Sequence, residues 1–252
     1  MGRRFGQHFL ARKSILDRIA DAACDSTTPL VIEIGPGKGA LTESLLARAA
    51  KLIGIEVDTY LVHYLRQKFA AEIDQGRLTL IEGDILKTDL TRWGPAVVAG
   101  NLPYYITSPI LEKLFGMGDS WTRAVFLMQV EVAERLAANP GTRDFGYLSV
   151  QTQLFSKPEI LFPVARTAFR PQPKVDSAVI RLDPSDRILE DRAAFLKFAS
   201  AAFRQKRKTL RNNLAPIYGK ERVDILPETK QRAEQLSLDA LINLFRILTP
   251  DS

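Results

Sequence analysis

The sequence is poor in cysteine and has no long apolar run. Cys24 is the only cysteine among 252 residues, so no intramolecular disulfide can form, and a disulfide-rich secreted domain is excluded. No run approaches the roughly 18 apolar residues that a membrane-spanning helix needs. The N-terminal residues are basic but lack the apolar stretch of a signal peptide. These absences predict a cytoplasmic protein that does not associate with a membrane.

Histidine is also scarce, because His8 and His63 are the only two in the chain. With a single cysteine besides, the sequence offers few of the ligands that zinc and other transition metals prefer. We therefore expect no metal site and no catalytic His–Asp pair. His63 falls in a segment with the pattern of an exposed helix, where it is expected to be solvated.

Charge of one sign is in modest excess. Lys and Arg total 35 against 29 Asp and Glu, which gives a formal net charge of +6. The content of 46% hydrophobic and 25% charged residues is ordinary for a globular protein. A basic excess of this size favours an anionic partner only weakly, since many enzymes carry one. The position of the charge along the chain therefore matters more.

Short apolar runs alternate with amphipathic segments over the first two thirds of the chain. The strand-like runs are 30–34, 52–56, 78–82, 96–99 and 124–128. Helical patterns between them cover 41–50 and 60–72. Such alternation predicts a parallel sheet wrapped by helices, with ligands at the carboxyl ends of the strands. Two late extended segments, 160–164 and 175–182, are expected to form an antiparallel hairpin at the sheet edge.

The composition shifts near the segment DPSD, residues 183–186. Three segments beyond it have helical patterns, and none is a convincing strand: 192–202, 208–214 and 238–248. The sequence therefore predicts an α/β domain over residues 1–184 and a small all-helical domain over residues 185–252.

A glycine-rich segment, EIGPGKGA at residues 33–40, closes the first predicted strand and runs into a turn. Glycines such as Gly35 and Gly37 let the backbone approach a ligand closely at the start of the next helix. Glu56 closes the second strand, where a carboxylate can accept hydrogen bonds from both hydroxyl groups of a ribose. The pattern favours a nucleoside-type cofactor. It also satisfies the dinucleotide fingerprint of NAD enzymes, and a purely structural turn stays open.

Two features favour S-adenosylmethionine over NAD. Pro36 removes a backbone N–H that a pyrophosphate cradle could use, whereas the amino group and sulfonium of the methionine part call for a carboxylate such as Glu33. After the third strand, Asp84 can accept a hydrogen bond from an adenine amine, and the backbone of Ile85 can contact the ring. A turn or helix cap is an equally open interpretation of Asp84.

The segment GNLPYYIT, residues 100–107, follows the fourth apolar run. A strand entering a turn would explain its Asn and Pro. A sharper interpretation is a clamp for an adenine amine, whose lone pair is delocalised into the ring. The side-chain carbonyl of Asn101 and the backbone carbonyl of Leu102 can accept from the two N–H groups. Pro103 has no N–H to compete and keeps Leu102 extended, and Tyr104 offers a face on which the purine stacks.

A base within an RNA helix must be unpaired or flipped before it can enter such a pocket. A second aromatic face would help to hold it, and Phe169 in the segment AFRP, residues 168–171, is the candidate. Core packing is the competing interpretation of Phe169 and is equally open.

A basic segment, defined here as residues 204–211, lies in the predicted helical domain. Its cations are Arg204, Lys206, Arg207, Lys208 and Arg211. They could belong to a solvated helix face. They could also form a surface that docks structured RNA by its shape and phosphate charge. A pocket that receives one base from a large RNA favours the second interpretation.

Five segments, in this order, resemble the small-subunit (16S) ribosomal RNA adenine dimethyltransferases, the kasugamycin-sensitivity enzymes. They are FGQHFL (5–10), EIGPG (33–37), GNLPY (100–104), FRPQPKVDSAV (169–179) and RKTLRNNL (207–214). The resemblance covers essentially the whole chain. It implies a Rossmann-like S-adenosylmethionine-dependent methyltransferase sheet before the helical domain. It also implies transfer of four methyl groups, two to each of two adjacent adenines near the 3′ end of the small-subunit RNA.

The resemblance also implies roles for individual residues. His8 and Leu10 would border the methionine end of the cofactor. The rest of the cofactor site would come from Gly35, Glu56, Asp84 and Asn101. Members of the family often have Asn in place of His8; both side chains can donate a hydrogen bond, but histidine adds a group that titrates. The expected partner is the small ribosomal subunit, with the chain acting as a monomer in ribosome biogenesis.

Three other functions stay open. The large-subunit rRNA adenine methyltransferases that confer macrolide resistance share the N-terminal half and the Asn-Leu/Ile-Pro-Tyr signature, but their helical domains lack the run at 207–212. A non-catalytic ribosome-assembly factor would not need the intact motif at 101–104. An NAD-dependent dehydrogenase would need a set of hydride-site residues, and the chain offers no obvious one.

Overall fold

The computed structural model describes residues 8–25 and 27–249, so residues 5–7 of the first resembling segment lie outside the described residues. The chain divides into two compact units. The first comprises the described residues up to Ala133 together with Pro158–Pro184. The second comprises Glu134–Lys157 together with the described residues from Ser185 onward.

The strands form one large sheet and one small one. Over the described residues they are β1 (Phe9–Leu10), β2 (Leu30–Ile34), β3 (Lys51–Glu56), β4 (Leu78–Glu82), β5 (Ala96–Asn101), β6 (Trp121–Gln129), β7 (Ser156–Val164), β8 (Phe169–Arg170) and β9 (Ser177–Pro184). The large sheet has the order β4-β3-β2-β5-β6-β9-β7. It is parallel from β4 to β6, and β9 pairs antiparallel with β6. The predicted Rossmann-like sheet is confirmed, with the two late strands at its edge.

Burial explains why the sequences of the central strands are continuous apolar runs. In β2, β3 and β5 nearly every residue is buried, as expected for parallel strands covered on both faces. The pairing aligns Ile34 with both Ile55 and Gly100, and Glu56 with Glu82. The carboxyl ends of four strands therefore meet at one edge of the sheet, where their loops can share a ligand.

The helices cover the sheet and build the second unit. They are α1 (Lys13–Ala23), α2 (Ala40–Leu46), α3 (Thr59–Lys68), α4 (Ala70–Asp74), α5 (Thr107–Phe115), α6 (Val130–Leu136), α7 (Tyr147–Phe155), α8 (Arg192–Ala202), α9 (Leu210–Tyr218), α10 (Lys220–Asp224) and α11 (Leu238–Leu248). The predicted helix 41–50 ends early, at Leu46. The predicted helix 60–72 breaks at Phe69, a buried residue with a non-helical backbone.

The second unit has its own apolar core. Phe195, Phe198 and Phe245 pack at its centre, with edge-on and stacked ring contacts between them. Phe145 and Leu154, from the segment before β7, are fully buried in the same core. The sequence pattern assigned residues 134–157 to the first domain, and the structure corrects this assignment because these apolar side chains pack with the helices that follow Ser185.

Among the described residues from Ser185 to Thr249 there are helices, turns and irregular segments, and no strand. The predicted helices 192–202 and 238–248 are confirmed as α8 and α11. The predicted helix 208–214 begins two residues late and continues to Tyr218 as α9. Over the described residues, no helix is long and apolar enough to cross a membrane.

Candidate active site

The glycine-rich loop after β2 leaves open space in front of its backbone. A Cβ added to Gly35 would meet no heavy atom within 4 Å, and Gly35 lines a cavity at this edge of the sheet. Gly37 has a positive φ of 61°, and a Cβ there would come within 3.0 Å of the Phe9 ring. The loop thus has room for a ligand on one side and packs closely against β1 on the other.

Glu56 is held in place by the loops on both sides of it. The N–H of Gly37 donates to its Oε2 at 3.0 Å, and the N–H groups of Val57 and Asp58 donate to its Oε1 at 3.0 and 3.1 Å. Burial raises the pKa of Glu56, and these three N–H groups act in the opposite direction. The carboxylate therefore has a fixed orientation at the cavity wall, as a ribose-binding group requires.

Glu33 lies deeper in the same wall and is almost completely buried. The Thr42 hydroxyl donates to its Oε2 at 2.7 Å. Burial raises the pKa of Glu33 to about 8, and the nearby Glu56 adds to the effect. At neutral pH the carboxyl group is therefore mostly protonated, and a cationic ligand placed beside it would favour its ionised form.

Asp84 and Ile85 follow β4 and also line the cavity. Asp84 Oδ1 accepts from the Leu86 N–H at 2.9 Å, and its carbonyl accepts from the Lys87 and Thr88 N–H groups. Asp84 thus caps a turn, in agreement with one of its two sequence interpretations. Because the same residue lines the cavity, the cap also fixes a carboxylate there, and the two interpretations are compatible.

Residues 8–10, called the strap below, form one part of the cavity lining. β1 pairs antiparallel with β8, so that Phe9 lies opposite Arg170 and Leu10 opposite Phe169. The His8 ring bonds through Nδ1 to the Pro171 carbonyl oxygen at 2.8 Å. His8 and Leu10 both line the cavity together with the glycine-rich loop.

Asn101, the last residue of β5, and Leu102, which follows it directly, both line the cavity. Asn101 Nδ2 donates to the backbone carbonyl of His8 at 2.9 Å, and the Leu102 N–H donates to the carbonyl of Leu127 at 2.9 Å. Both donors are thus engaged, and no hydrogen bond from the described residues reaches Asn101 Oδ1 or the Leu102 carbonyl oxygen. These two oxygens are therefore acceptors without a hydrogen-bond donor among the described residues.

The side chain of Tyr104 is held by contacts with Ser177 and His8. Its hydroxyl and that of the buried Ser177 on β9 lie 2.8 Å apart. Burial raises the pKa of Tyr104, and the bond to Ser177 acts in the opposite direction. The His8 ring stacks on Tyr104 with centroids 5.9 Å apart. The ring plane of Tyr104 is therefore set by two partners that lie far from it in the sequence.

One cavity of about 630 Å³ brings these groups together, a size typical of small-molecule sites. Nearly all the residues predicted for cofactor or base binding line it: His8, Leu10, Glu33, Gly35, Gly37, Glu56, Asp84, Ile85, Asn101, Leu102, Pro103 and Tyr104. The sequence did not identify Phe9 and Tyr105, which also line the cavity. It also did not identify Thr42 and Ser177, which form hydrogen bonds with the lining residues Glu33 and Tyr104. Phe9 and Ser177 lie within the resembling segments, whereas no signal marks Thr42.

Phe169 is not part of this cavity. Its side chain is fully buried in the apolar core of the first unit, with Val164, Ala168 and Val179. A fully buried ring has no face on which a base can stack. The structure therefore contradicts the predicted stacking role of Phe169 and agrees with the competing interpretation, core packing.

The basic segment is mainly a loop between α8 and α9, and only its last two residues are helical. Its five cations are exposed. Arg211 forms a bidentate ion pair with Asp224, in which Nη2 and Oδ2 are 2.8 Å apart. The Lys206 ammonium group donates a hydrogen bond to the Arg143 carbonyl oxygen. The hydrogen bonds and ion pairs found within the described residues leave the side chains of Arg204, Arg207 and Lys208 without a partner. Their charge is open to an anionic ligand.

Over residues 8–25 and 27–249, no group of three or more His, Cys, Asp or Glu side chains could hold a metal ion. The expectation that no metal takes part in the chemistry stays a prediction.

Comparisons with known proteins agree with this geometry. The family model described as "Ribosomal RNA adenine dimethylase" matches residues 1–249. A relative from Chlorobium luteolum, named ribosomal RNA small subunit methyltransferase A, is 43% identical over 252 residues, which cover 98% of this chain and 90% of the relative.

Two solved structures share the architecture. A dimethyladenosine transferase from Plasmodium falciparum superposes with a TM-score of 0.81 at 28% identity, covering 97% of each chain. The 23S rRNA methyltransferase ErmE superposes with a TM-score of 0.74 at 27% identity, covering 95% of this chain and 99% of that one. With the family match over nearly its whole length and a relative 43% identical, the chain belongs to the ribosomal RNA adenine dimethylase family.

Proposed function

We propose that this protein transfers methyl groups from S-adenosylmethionine to the N6 amines of two adjacent adenines near the 3′ end of the small-subunit (16S) rRNA. The product is N6,N6-dimethyladenosine, and the modification belongs to small-subunit biogenesis. Family membership and the name of the Chlorobium luteolum relative support this assignment. The observation that carries the proposal is that Asn101, Leu102 and Tyr104 line the same cavity, while no hydrogen bond from the described residues reaches Asn101 Oδ1 or the Leu102 carbonyl oxygen.

The residues around the cavity fit S-adenosylmethionine. The space in front of Gly35 admits a ligand backbone, Glu56 is oriented for a ribose, and Asp84 lies where an adenine amine could donate. Glu33 and the strap residues His8 and Leu10 would border the methionine end. When bound, S-adenosylmethionine supplies an electrophilic methyl group on a sulfonium.

The residues of the protein would contribute by orienting the adenine N6 amine toward the methyl group. Asn101 Oδ1 and the Leu102 carbonyl would accept from the two N–H groups of the adenine N6, which orients the amine and localises its lone pair. Stacking on Tyr104 would hold the purine plane. An amine held in an attack geometry needs no strong base, and the product amine can lose its proton to water. This chemistry requires neither histidine nor a metal.

The basic segment would dock the rRNA by its phosphates, chiefly through Arg204, Arg207 and Lys208, whose side chains are free within the described residues. Lys206 and Arg211 would contribute less, since each already has a partner. We further propose that the protein acts as a monomer, in the cytoplasm with its ribosomal substrate; a cavity lined by residues of a single chain is compatible with this.

The test is transfer of a radiolabelled methyl group to small ribosomal subunits from cells that lack these marks. Wild type should place the label in N6,N6-dimethyladenosine after nuclease digestion. Asn101→Ala should lower transfer roughly 100-fold or more, by loss of one preorganised hydrogen-bond partner, with an unchanged fold. Asn243→Ala, which removes an exposed amide on α11, is the matched control.

Full activity of Asn101→Ala would refute the clamp mechanism. The likeness to ErmE favours large-subunit RNA as the second candidate substrate. Label that appears only in large-subunit RNA would replace the proposed substrate with that one. Absence of transfer to either RNA, despite S-adenosylmethionine binding, would support a non-catalytic assembly factor.

A further inference from the structure

Tyr105 is an exposed aromatic residue at the mouth of the cavity. It lines the cavity next to Tyr104, yet 62% of its surface is exposed to solvent. Tyr104 and Tyr105 begin a single 3₁₀ turn, Tyr104–Ile106. Successive side chains on such a turn project about 120° apart. Tyr104 is thereby directed to Ser177 and the interior, while Tyr105 stays at the rim.

The backbone that carries Tyr105 is well anchored. The Ile106 N–H donates to the Pro103 carbonyl at 3.1 Å, and the Thr107 hydroxyl donates to the same carbonyl at 3.4 Å. Helix α5 then continues from Thr107. Hydrogen bonds that hold the backbone in one conformation lower the entropy lost when the ring binds a flat partner.

Two further exposed side chains with apolar surface line the same cavity. Tyr64 and Leu86 line the cavity and are both partly exposed, and the Lys113 ammonium donates to the Leu86 carbonyl at 3.2 Å. Within the described part of the chain, no hydrogen bond to the Tyr105 hydroxyl is found. Exposed apolar surface that is contiguous with a binding site marks a place where a ligand continues beyond the pocket.

We propose that Tyr105 is the stacking platform for the nucleobase next to the target adenine, a second base subsite outside the methylation pocket. The inference rests on the proposed function. A base that enters the cavity remains joined to its neighbours by the sugar–phosphate chain, so a flanking base must lie at the cavity mouth. Every nucleobase offers a π face, and an exposed aromatic ring can stack on it without reading its hydrogen-bonding groups.

The experiment compares Tyr105→Ala and Tyr105→Phe with wild type on small ribosomal subunits that lack the methyl marks. Tyr105→Ala should raise KM for the subunits roughly 5- to 150-fold, the range for loss of one base–aromatic stack, with a much smaller change in kcat. Tyr105→Phe should stay close to wild type, because it keeps the ring. Tyr60→Ala is the matched control, since Tyr60 is 73% exposed on α3 and is not among the cavity-lining residues.

The second experiment uses subunits reconstituted with 16S rRNA in which one neighbour of a target adenine, on its 5′ or its 3′ side, is replaced by an abasic nucleotide. Methyl transfer is then measured at that adenine alone, because one of its neighbours is the other target adenine. On the side that stacks, removal of the base should abolish the difference between wild type and Tyr105→Ala. Thermal unfolding and affinity for S-adenosylmethionine should be the same in both proteins.

Three results would overturn the inference while the proposed function stands: wild-type kinetics in Tyr105→Ala, an undiminished defect with both abasic RNAs, or a loss of affinity for S-adenosylmethionine instead of RNA. A wild-type protein that transfers no methyl group to these subunits would instead refute the proposed function, and this inference with it.

Discussion

Glu33 illustrates how burial changes the chemistry of a single residue. The sequence places a carboxyl group at the end of β2, and its pattern says nothing about protonation. In the structure, burial raises its pKa from the usual 4.5 to about 8. The group is therefore mostly neutral in the free protein at pH 7, and it becomes an anion when a cationic ligand compensates the lost hydration.

This shift predicts a pH dependence of stability. Between about pH 4.5 and 8 the unfolded chain has released the Glu33 proton while the folded protein retains it. The folded state binds more protons in this window, so the free energy of unfolding falls as the pH rises. Glu33→Gln cannot ionise and keeps an acceptor for Thr42. Urea unfolding should show this variant gaining stability relative to wild type as the pH rises from 5 to 8.5.

The comparison is made without ligand, because a cation in the cavity would offset the effect. A stability difference between Glu33→Gln and wild type that does not change with pH would show that Glu33 is ionised in the folded protein throughout this range.

At the scale of a single element, β5 combines a packing role with a functional one. Gly100 pairs with Ile34 on the neighbouring strand β2, and a Cβ at Gly100 would lie 2.7 Å from the Ile34 carbonyl oxygen. That atom belongs to the backbone of a buried strand and cannot move aside easily. Glycine at this position therefore lets β5 approach β2 closely, and the next residue on the strand is Asn101.

Gly100→Ala should consequently destabilise the protein by about 1–3 kcal/mol, the usual range for overpacking a core. Denaturant unfolding measures this directly. Gly116→Ala is the control, because Gly116 has a φ of −75° and its added Cβ would meet nothing closer than 3.5 Å. The control should stay within about 0.5 kcal/mol of wild type. Equal stability of the two variants would mean that β5 can shift at no energetic cost.

At the scale of the whole molecule, charge is the property that matters for a large polyanionic substrate. The net charge of +6 is modest, and part of the basic segment is already engaged, since Arg211 pairs with Asp224. The free cations of that segment, Arg204, Arg207 and Lys208, are therefore the ones expected to set the affinity for RNA.

Reversal of two of these charges, Arg207→Glu with Lys208→Glu, should weaken binding to unmarked small subunits. It should also reduce the slope of log K against log salt by about 1 for each phosphate that the variant no longer neutralises. Affinity for S-adenosylmethionine should not change. Lys197→Glu with Lys230→Glu changes the net charge equally at exposed positions elsewhere in the second unit. If the two double variants weaken RNA binding equally, the affinity depends on the net charge of the protein and not on the position of Arg207 and Lys208.

The sequence alone determined the features that depend on neighbouring residues. Apolar runs at 30–34 and 96–99 predict buried parallel strands because side-chain periodicity is local. The motifs at 33–40 and 100–104 then fall at the carboxyl ends of those strands, since parallel strands place their ends at one edge of a sheet. The fold class and most of the cavity lining follow from this.

Tertiary structure decided what depends on residues far apart in the chain. Phe169 is a core residue because helix and strand residues distant in sequence enclose it, and residues 134–157 belong to the second unit because Phe145 and Leu154 find their partners after Ser185. The orientation of Asn101 depends on a carbonyl 93 residues away. Periodicity reports which face of an element is apolar, and only the packed structure shows what covers that face.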